Sequence, residues 1–378
     1  MSFDMAKGKA LKVHKWILLF AMLLLGTWSG WSQSGPAKSG LLYVLDTQKL
    51  GPTSSILLVD PAQGTVVRTI TAGTSPDMIL APDGSALYVA SQYWNAAGTV
   101  DNLLEIYDNS GNKVASMPNP DVVNSTMPTY PTRMAMAPSG KWIYMLKGRW
   151  PGYGEFYLSA FNTATRQFLQ SRALLPNCPG MVILPSSADL KVAVVCTNSS
   201  VVRDITFGDS DATTKIKGIT ATQDRATQSR QWHLAFLDPS QQKVNLFAAN
   251  GAHLVVDRQQ GKVNAAPPAT DLKHFLGMQK GLVAKDNLSV FFGDQATPGK
   301  DYSSAYDEVT AIDPATLSVK ASIPTNIRFY KLAMSGDGNT LYAISPDKSA
   351  ITVVDLNAGK VVRQLHVGQT PTMAFAVP

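Results

Sequence analysis

An apolar–Tyr–apolar triplet recurs along this chain as Leu42-Tyr43-Val44, Leu87-Tyr88-Val89, Ile143-Tyr144-Met145 and Leu341-Tyr342-Ala343. Weaker copies stand at Ala193-Val194-Val195, Leu246-Phe247-Ala248 and Val290-Phe291-Phe292. A second motif, an alternating apolar run closed by Asp or Asn, ends at Asp60, Asp108, Asn162, Asp204, Asp257, Asp313 and Asp355. The ends are 48, 54, 42, 53, 56 and 42 residues apart. A period of 40 to 55 residues with about four short strands in each unit is that of a β-propeller blade.

One unit can be laid out in full. Residues 78–81 (MILA) form a first strand, Pro82-Asp83-Gly84 a turn, and 86–90 (ALYVA) a second strand. Residues 103–107 (LLEIY) and 114–117 follow, joined by a turn through Asn109-Ser110-Gly111. Asp-Gly and Ser-Gly between alternating apolar runs are hairpin signals. The same turns return at Pro138 to Gly140 and Gly336 to Gly338, and no long helical periodicity interrupts them. The first apolar run, 41–45, reads as a second strand and the last, 372–377, as a first strand. The expected fold is all-β, a seven-bladed propeller in which the C-terminal strand completes the N-terminal blade and removes the open edge. Six or eight blades also stay open, because residues 199–232 and 262–282 fit the pattern poorly.

Residues 1–32 read differently. Lys7, Lys9, Lys12 and Lys15 precede the apolar run 16–25 (WILLFAMLLL), and Gly30 and Ser32 supply small residues near its end. This is the pattern of a secretory signal peptide cleaved after Ser32, leaving 33–378 as the propeller domain. The apolar run is shorter than the ~20 residues that span a bilayer. The expected location is therefore periplasmic or secreted, with no membrane segment after cleavage. Half of the formal charge of +6 belongs to this leader. Without it, 29 basic side chains face 26 acidic ones, which excludes a nucleic-acid footprint. Charged residues make up 16% of the chain, against an average of about 25%, and 45% of it is hydrophobic, which excludes a disordered chain.

Export bears on the two cysteines, Cys178 and Cys196. In an oxidising compartment such a pair is most simply a disulfide, with two buried free thiols as the alternative. One cysteine enters a first strand and the other leaves the adjacent second strand, so both sit at one end of a blade, where a bridge can form.

The loops are lopsided. At the end where second strands pass to third strands, and where blades cross over, the loops 91–102, 118–132, 147–155, 220–231, 267–280 and 295–307 are long. They carry Tyr93, Trp94, Tyr130, Arg149, Trp150, Tyr153, His274, Tyr302 and Tyr306. Aromatic and Arg side chains on long loops over a rigid scaffold make a candidate partner or ligand face. The competing reading is a set of loops packed on one another over the channel. Catalytic signals are sparse. The five histidines form no metal-ligand spacing, and neither a Gly-x-Ser-x-Gly elbow nor a Gly-rich phosphate loop occurs. No catalytic and no metal-binding residue is assigned.

Single blades, notably 350–377 and 86–90, resemble the bacterial YVTN-type propeller repeat. Residues 55–377 also resemble the heavy subunit of methylamine dehydrogenase and aromatic amine dehydrogenase. The likeness lies in 101–146, with its Tyr-Pro crossover, in 174–209, with both cysteines in equivalent places, and in 307–345. The resemblance implies a seven-bladed periplasmic propeller that shapes the substrate channel for a small cysteine-rich subunit. In that family the cofactor, tryptophan tryptophylquinone, resides on the small subunit, and electrons pass to a copper protein or cytochrome. It implies no cofactor in this chain and transfers no catalytic residue. The alternative is a stand-alone propeller that binds a protein, peptide or glycan through the aromatic face.

Overall fold

The computed structural model describes residues 40–47, 53–119, 133–148, 156–176, 178, 181–196, 201–221, 232–248, 252–266, 279–284, 288–294 and 306–378. The expected boundary at residue 32 lies outside them. The described residues form seven antiparallel sheets, with a single 3-10 turn, Pro346–Lys348, as their only helical element.

Each sheet is one blade of the propeller. The second strands carry the repeat triplets: Leu42–Asp46, Ala86–Trp94, Trp142–Gly148, Lys191–Cys196, Lys243–Ala248, Val290–Asp294 and Thr340–Ser345, in blades 1 to 7. They are buried almost throughout because each lies inside its sheet and is covered on both faces by neighbouring blades. The outermost strands read differently. Thr65–Ala72, at the rim of blade 1, is exposed over its first five residues. Apolar side chains form seven clusters among the described residues, each between two successive blades, and the last joins blade 7 to blade 1 through Ile344, Ile351, Leu42 and Val44. Seven interfaces for seven blades is the signature of a closed ring, so the six- and eight-bladed alternatives fall away.

The recurring Asp or Asn has a local role. In six of the seven units its side chain folds back on the turn between third and fourth strands. Asp60 Oδ1, for example, accepts from Ala62 N at 2.8 Å and Asp355 Oδ1 from Asn357 N at 2.9 Å. Asp204 is the exception. It lies two residues before its strand ends and accepts from Arg258 Nε of blade 5 at 2.8 Å, an inter-blade ion pair with little exposure.

The ring closes where the sequence placed the closure. Pro371–Ala376 pairs with Leu42–Asp46, and the sheet order of blade 1 puts this C-terminal strand innermost. Asp46 locks the junction. Its buried carboxylate accepts from Gln369 N at 3.0 Å and from Thr370 N at 2.5 Å. Gly368 makes room for it: its φ is +69°, and a Cβ there would stand 2.7 Å from Asp46 Cγ. Asp46→Ala leaves two amides of the latch without their acceptor and is expected to lower stability by about 1–3 kcal/mol. Urea denaturation reads this directly. An unchanged midpoint would show that the latch contributes nothing.

Candidate functional site

Blade 2 stands out at the long-loop end. Its second and third strands, Ala86–Trp94 and Val100–Asp108, run for nine residues each and stay paired up to Trp94↔Val100. The loop expected over 91–102 is therefore mostly hairpin. Ser91 and Gln92 are buried polar residues that still pair as strand, and this is why the apolar pattern stopped before the strand did. Asn95 stiffens the tip: its Oδ1 accepts from Ala97 N and Thr99 N, and its Nδ2 donates to Thr99 Oγ1 at 2.6 Å. Trp94, at the base of this tip, is 53% exposed.

Tyr93 is half-buried and points into a polar cluster. Its hydroxyl donates to Glu105 Oε2 at 2.6 Å. The same buried carboxylate receives Ser91 Oγ, Tyr107 Oη and, at 2.7 Å, the ammonium of Lys113. Burial, and secondly the bond to Glu105, pushes the Tyr93 hydroxyl up to about 12, so it stays a donor at any physiological pH. Tyr93 thus holds the strand that presents Trp94, rather than presenting a ring of its own.

Tyr306 is buried instead of exposed. It begins the third strand of blade 6 and packs on Phe329, with ring centroids 5.6 Å apart. Its position at the edge of a long loop concealed that the blade had already resumed. Tyr130, Arg149, Trp150, Tyr153, His274 and Tyr302 lie outside the described residues. Cys178 and Cys196 form a disulfide at the long-loop end of blade 4, with Cα atoms 4.8 Å apart and both side chains fully buried against blade 3. Closing a loop of this size stabilises by roughly 3 kcal/mol in the chain-entropy model. Unfolded, unreduced protein is expected to show no free thiol, and reduction to lower the melting temperature. Two thiols per chain would contradict the bridge.

A group not singled out from the sequence sits midway along the innermost strand of blade 2, Thr74–Leu80. Asp77 is buried; its Oδ1 accepts from Met78 N at 3.0 Å and its Oδ2 from Met134 N of blade 3 at 2.8 Å. Burial raises its pKa to about 6 despite the nearby charges of Lys331 and Arg133. A signal was present: a charged residue precedes the apolar part of an inner strand at Asp77-Met78, Arg133-Met134 and Lys331-Leu332. Its folded pKa lies above the unfolded value, so the stability linked to Asp77 is fully present below about pH 4 and is lost as pH rises through 6. Carboxyl-carbon NMR is expected to give Asp77 a midpoint near pH 6. A midpoint near 4 would mean that the site is open to bulk water.

Among the described residues, no three metal-ligating side chains come together. Known protein families and curated sequences offer no match to the chain. Solved structures do. The chain is similar to the β-propeller domain of Myceliophteria thermophila Cps50 (Swd1), with a TM-score of 0.56 at 11% identity over 79% of this chain and 88% of that one. It is similar to the dihydro-heme d1 dehydrogenase NirN, with a TM-score of 0.56 at 13% identity over 93% and 78%. It is also similar to apo AztD from Citrobacter koseri, with a TM-score of 0.50 at 13% identity over 90% and 98%. At such identities these likenesses establish the propeller fold alone.

Proposed function

We propose that this chain is an exported binding propeller whose long-loop face docks a partner. The observation that carries the reading is Trp94. A large ring is 53% exposed on a paired strand that Tyr93, Glu105 and Asn95 hold in place. An exposed aromatic costs solvation unless something covers it, and a preordered one loses little entropy on binding. The Cys178–Cys196 bridge agrees with an oxidising compartment.

For the partner, the reading favoured is the small cysteine-rich, quinone-bearing subunit of an amine dehydrogenase. The bridge joins the two cysteines on which the heavy-subunit resemblance rests. Tryptophan tryptophylquinone would then supply the amine oxidation from the partner chain, and this chain would position that subunit and border the channel to it. Both cysteines here are committed to one bridge, in keeping with a chain that carries no quinone itself. A copper protein or cytochrome would accept the electrons. The second reading, a stand-alone propeller for a protein, peptide or glycan, draws on the same Trp94 and dispenses with the quinone partner.

Affinity capture from the native periplasmic extract separates the two. A cysteine-rich partner with quinone absorbance in the eluate supports the subunit reading, and its absence supports the stand-alone one. In either case Trp94→Ala is expected to abolish capture while shifting the melting temperature little, since more than half of the residue is already in solvent. A large melting shift with capture intact would show the ring to be packing, not recognition.

A further inference from the structure

Each blade ends in an outer strand whose far side pairs with no other strand among the described residues. Such an edge is a template for a further strand, and natural sheets blunt it with Lys, with Pro or with a covering loop. Five of the seven are blunted by composition. The outer strands of blades 2, 4, 5, 6 and 7 carry Lys113, Lys215, Lys262, Lys320 and Lys360. That of blade 3, Gln167–Leu174, has neither Lys nor Pro but is covered by a turn of blade 4. Arg172 N donates to Asp211 Oδ1, and Ser171 Oγ to Gly208 O at 2.6 Å.

Blade 1 has none of these devices. Its outer strand, Thr65–Ala72, holds no Lys and no Pro. Its one charge, Arg68, is turned onto blade 2, where the guanidinium donates to Ser110 O and, at 2.9 Å, to Asn112 Oδ1. Thr65 to Thr69 are exposed in succession, Val67 at 54%. The bulge at Val67 stands near the turn, and Arg68 to Ala72 beyond it pair with Ser54 to Leu58 without a break. Most of the edge is therefore regular strand.

Exposed apolar side chains gather around this edge. Nine large ones are exposed among the described residues, and four of them, Val66, Val67, Val114 and Val362, lie on the outer strands of blades 1, 2 and 7. Those blades are neighbours in the ring. Val67, Val114 and Val362 occupy the bulge of their respective strands, so they stand at one level of the rim. Apolar surface gathered in this way marks a contact. Arg68, Lys113, Lys360 and Arg363 are interspersed there with Asp60, Asp108 and Asp355. A patch of both signs suits no strongly charged partner, and it can meet a copy of itself, as a two-fold contact requires.

We propose that blade 1 pairs edge to edge with blade 1 of a second copy of this chain, Thr65–Ala72 lying antiparallel to its equivalent, to form one eight-stranded sheet. The two-fold axis of such a pair is perpendicular to the sheet. Val362 of both copies then falls on one face of the joint sheet and Val114 of both on the other. Main-chain hydrogen bonds hold the strands together, and the valines add apolar contact on either side. The valines stand by the turns between third and fourth strands, at the opposite end of the blades from Trp94, so the pairing is independent of what Trp94 docks.

The test is sedimentation velocity of the purified full-length protein over a range of concentrations. A reversible monomer–dimer equilibrium is expected. Val67→Lys and Thr69→Lys, which set like charges against each other across the two-fold axis, are each expected to weaken it about tenfold or more. Ile216→Lys, on the Lys-bearing edge of blade 4, and Trp94→Ala are expected to leave it unchanged. A monomer at every concentration overturns the proposal and leaves this edge to an extended segment of another protein. Equal weakening by Ile216→Lys, or an undiminished dimer in both blade 1 variants, overturns it as well. If a blade 1 variant fails to fold, hydrogen exchange of the wild type at low and high concentration decides. Amides of residues 65–72 must gain protection on association while those of 215–220 do not, and no gain overturns it.

Discussion

Everything in this structure rests on one strand pairing between distant ends of the described chain. Pro371–Ala376 joins Leu42–Asp46 across more than three hundred residues, with Asp46 holding the approach through the amides of Gln369 and Thr370. Without it, blade 1 lacks its inner strand and the cluster between blades 7 and 1 loses Ala374 and Ala376. A propeller blade is covered on both faces only because the ring returns to its start. The pairing is therefore what permits second strands such as Leu42–Asp46 and Lys191–Cys196 to be apolar on both faces rather than on alternate residues. It is also costly in loop entropy, being the least local contact in the fold, and the seven inter-blade clusters have to offset that cost together.

The blade pattern was legible because it is enforced at every level. The tyrosines of the triplets, Tyr43, Tyr88, Tyr144 and Tyr342, are all buried in second strands. The recurrent Asp or Asn caps a turn with its own side chain, a role that needs one residue type at one place. Asp204 shows the limit of such reading, since it kept the spacing while serving an ion pair with Arg258 in the next blade. The disulfide was legible for a similar reason. Two cysteines at one end of adjacent strands had few geometries open to them, and Met181↔Cys196 pairing brings them together.

The candidate site was legible only in part, and the failures share a cause. Polar residues in strands carry no hydrophobic signature, so the extension of blade 2 through Ser91 and Gln92 looked like loop. Tyr93, which the pattern places on the surface, gives its hydroxyl to the buried Glu105. Tyr306 departs in the same sense at the other end of a loop: an aromatic at a loop edge is equally the first residue of the next strand, and packing on Phe329 decides for the core. Of the exposed aromatics expected on the described part of this face, Trp94 is the one that stands clear of such commitments.

The charged group around Asp77 was invisible for a different reason. Asp77, Arg133 and Lys331 are far apart in sequence, and each alone reads as a polar residue before a strand. Only the closed ring brings Asp77, Arg133 and Lys331, of blades 2, 3 and 7, within electrostatic reach of one another. Val182 and Leu234, on the inner strands of blades 4 and 5, are both buried in the cluster between those blades or beside it, so they contribute packing and no charge. Asp77 itself is committed to the amides of Met78 and Met134, so blades 2 and 3 are joined at this point by a carboxylate that neither blade's own strand pairing uses.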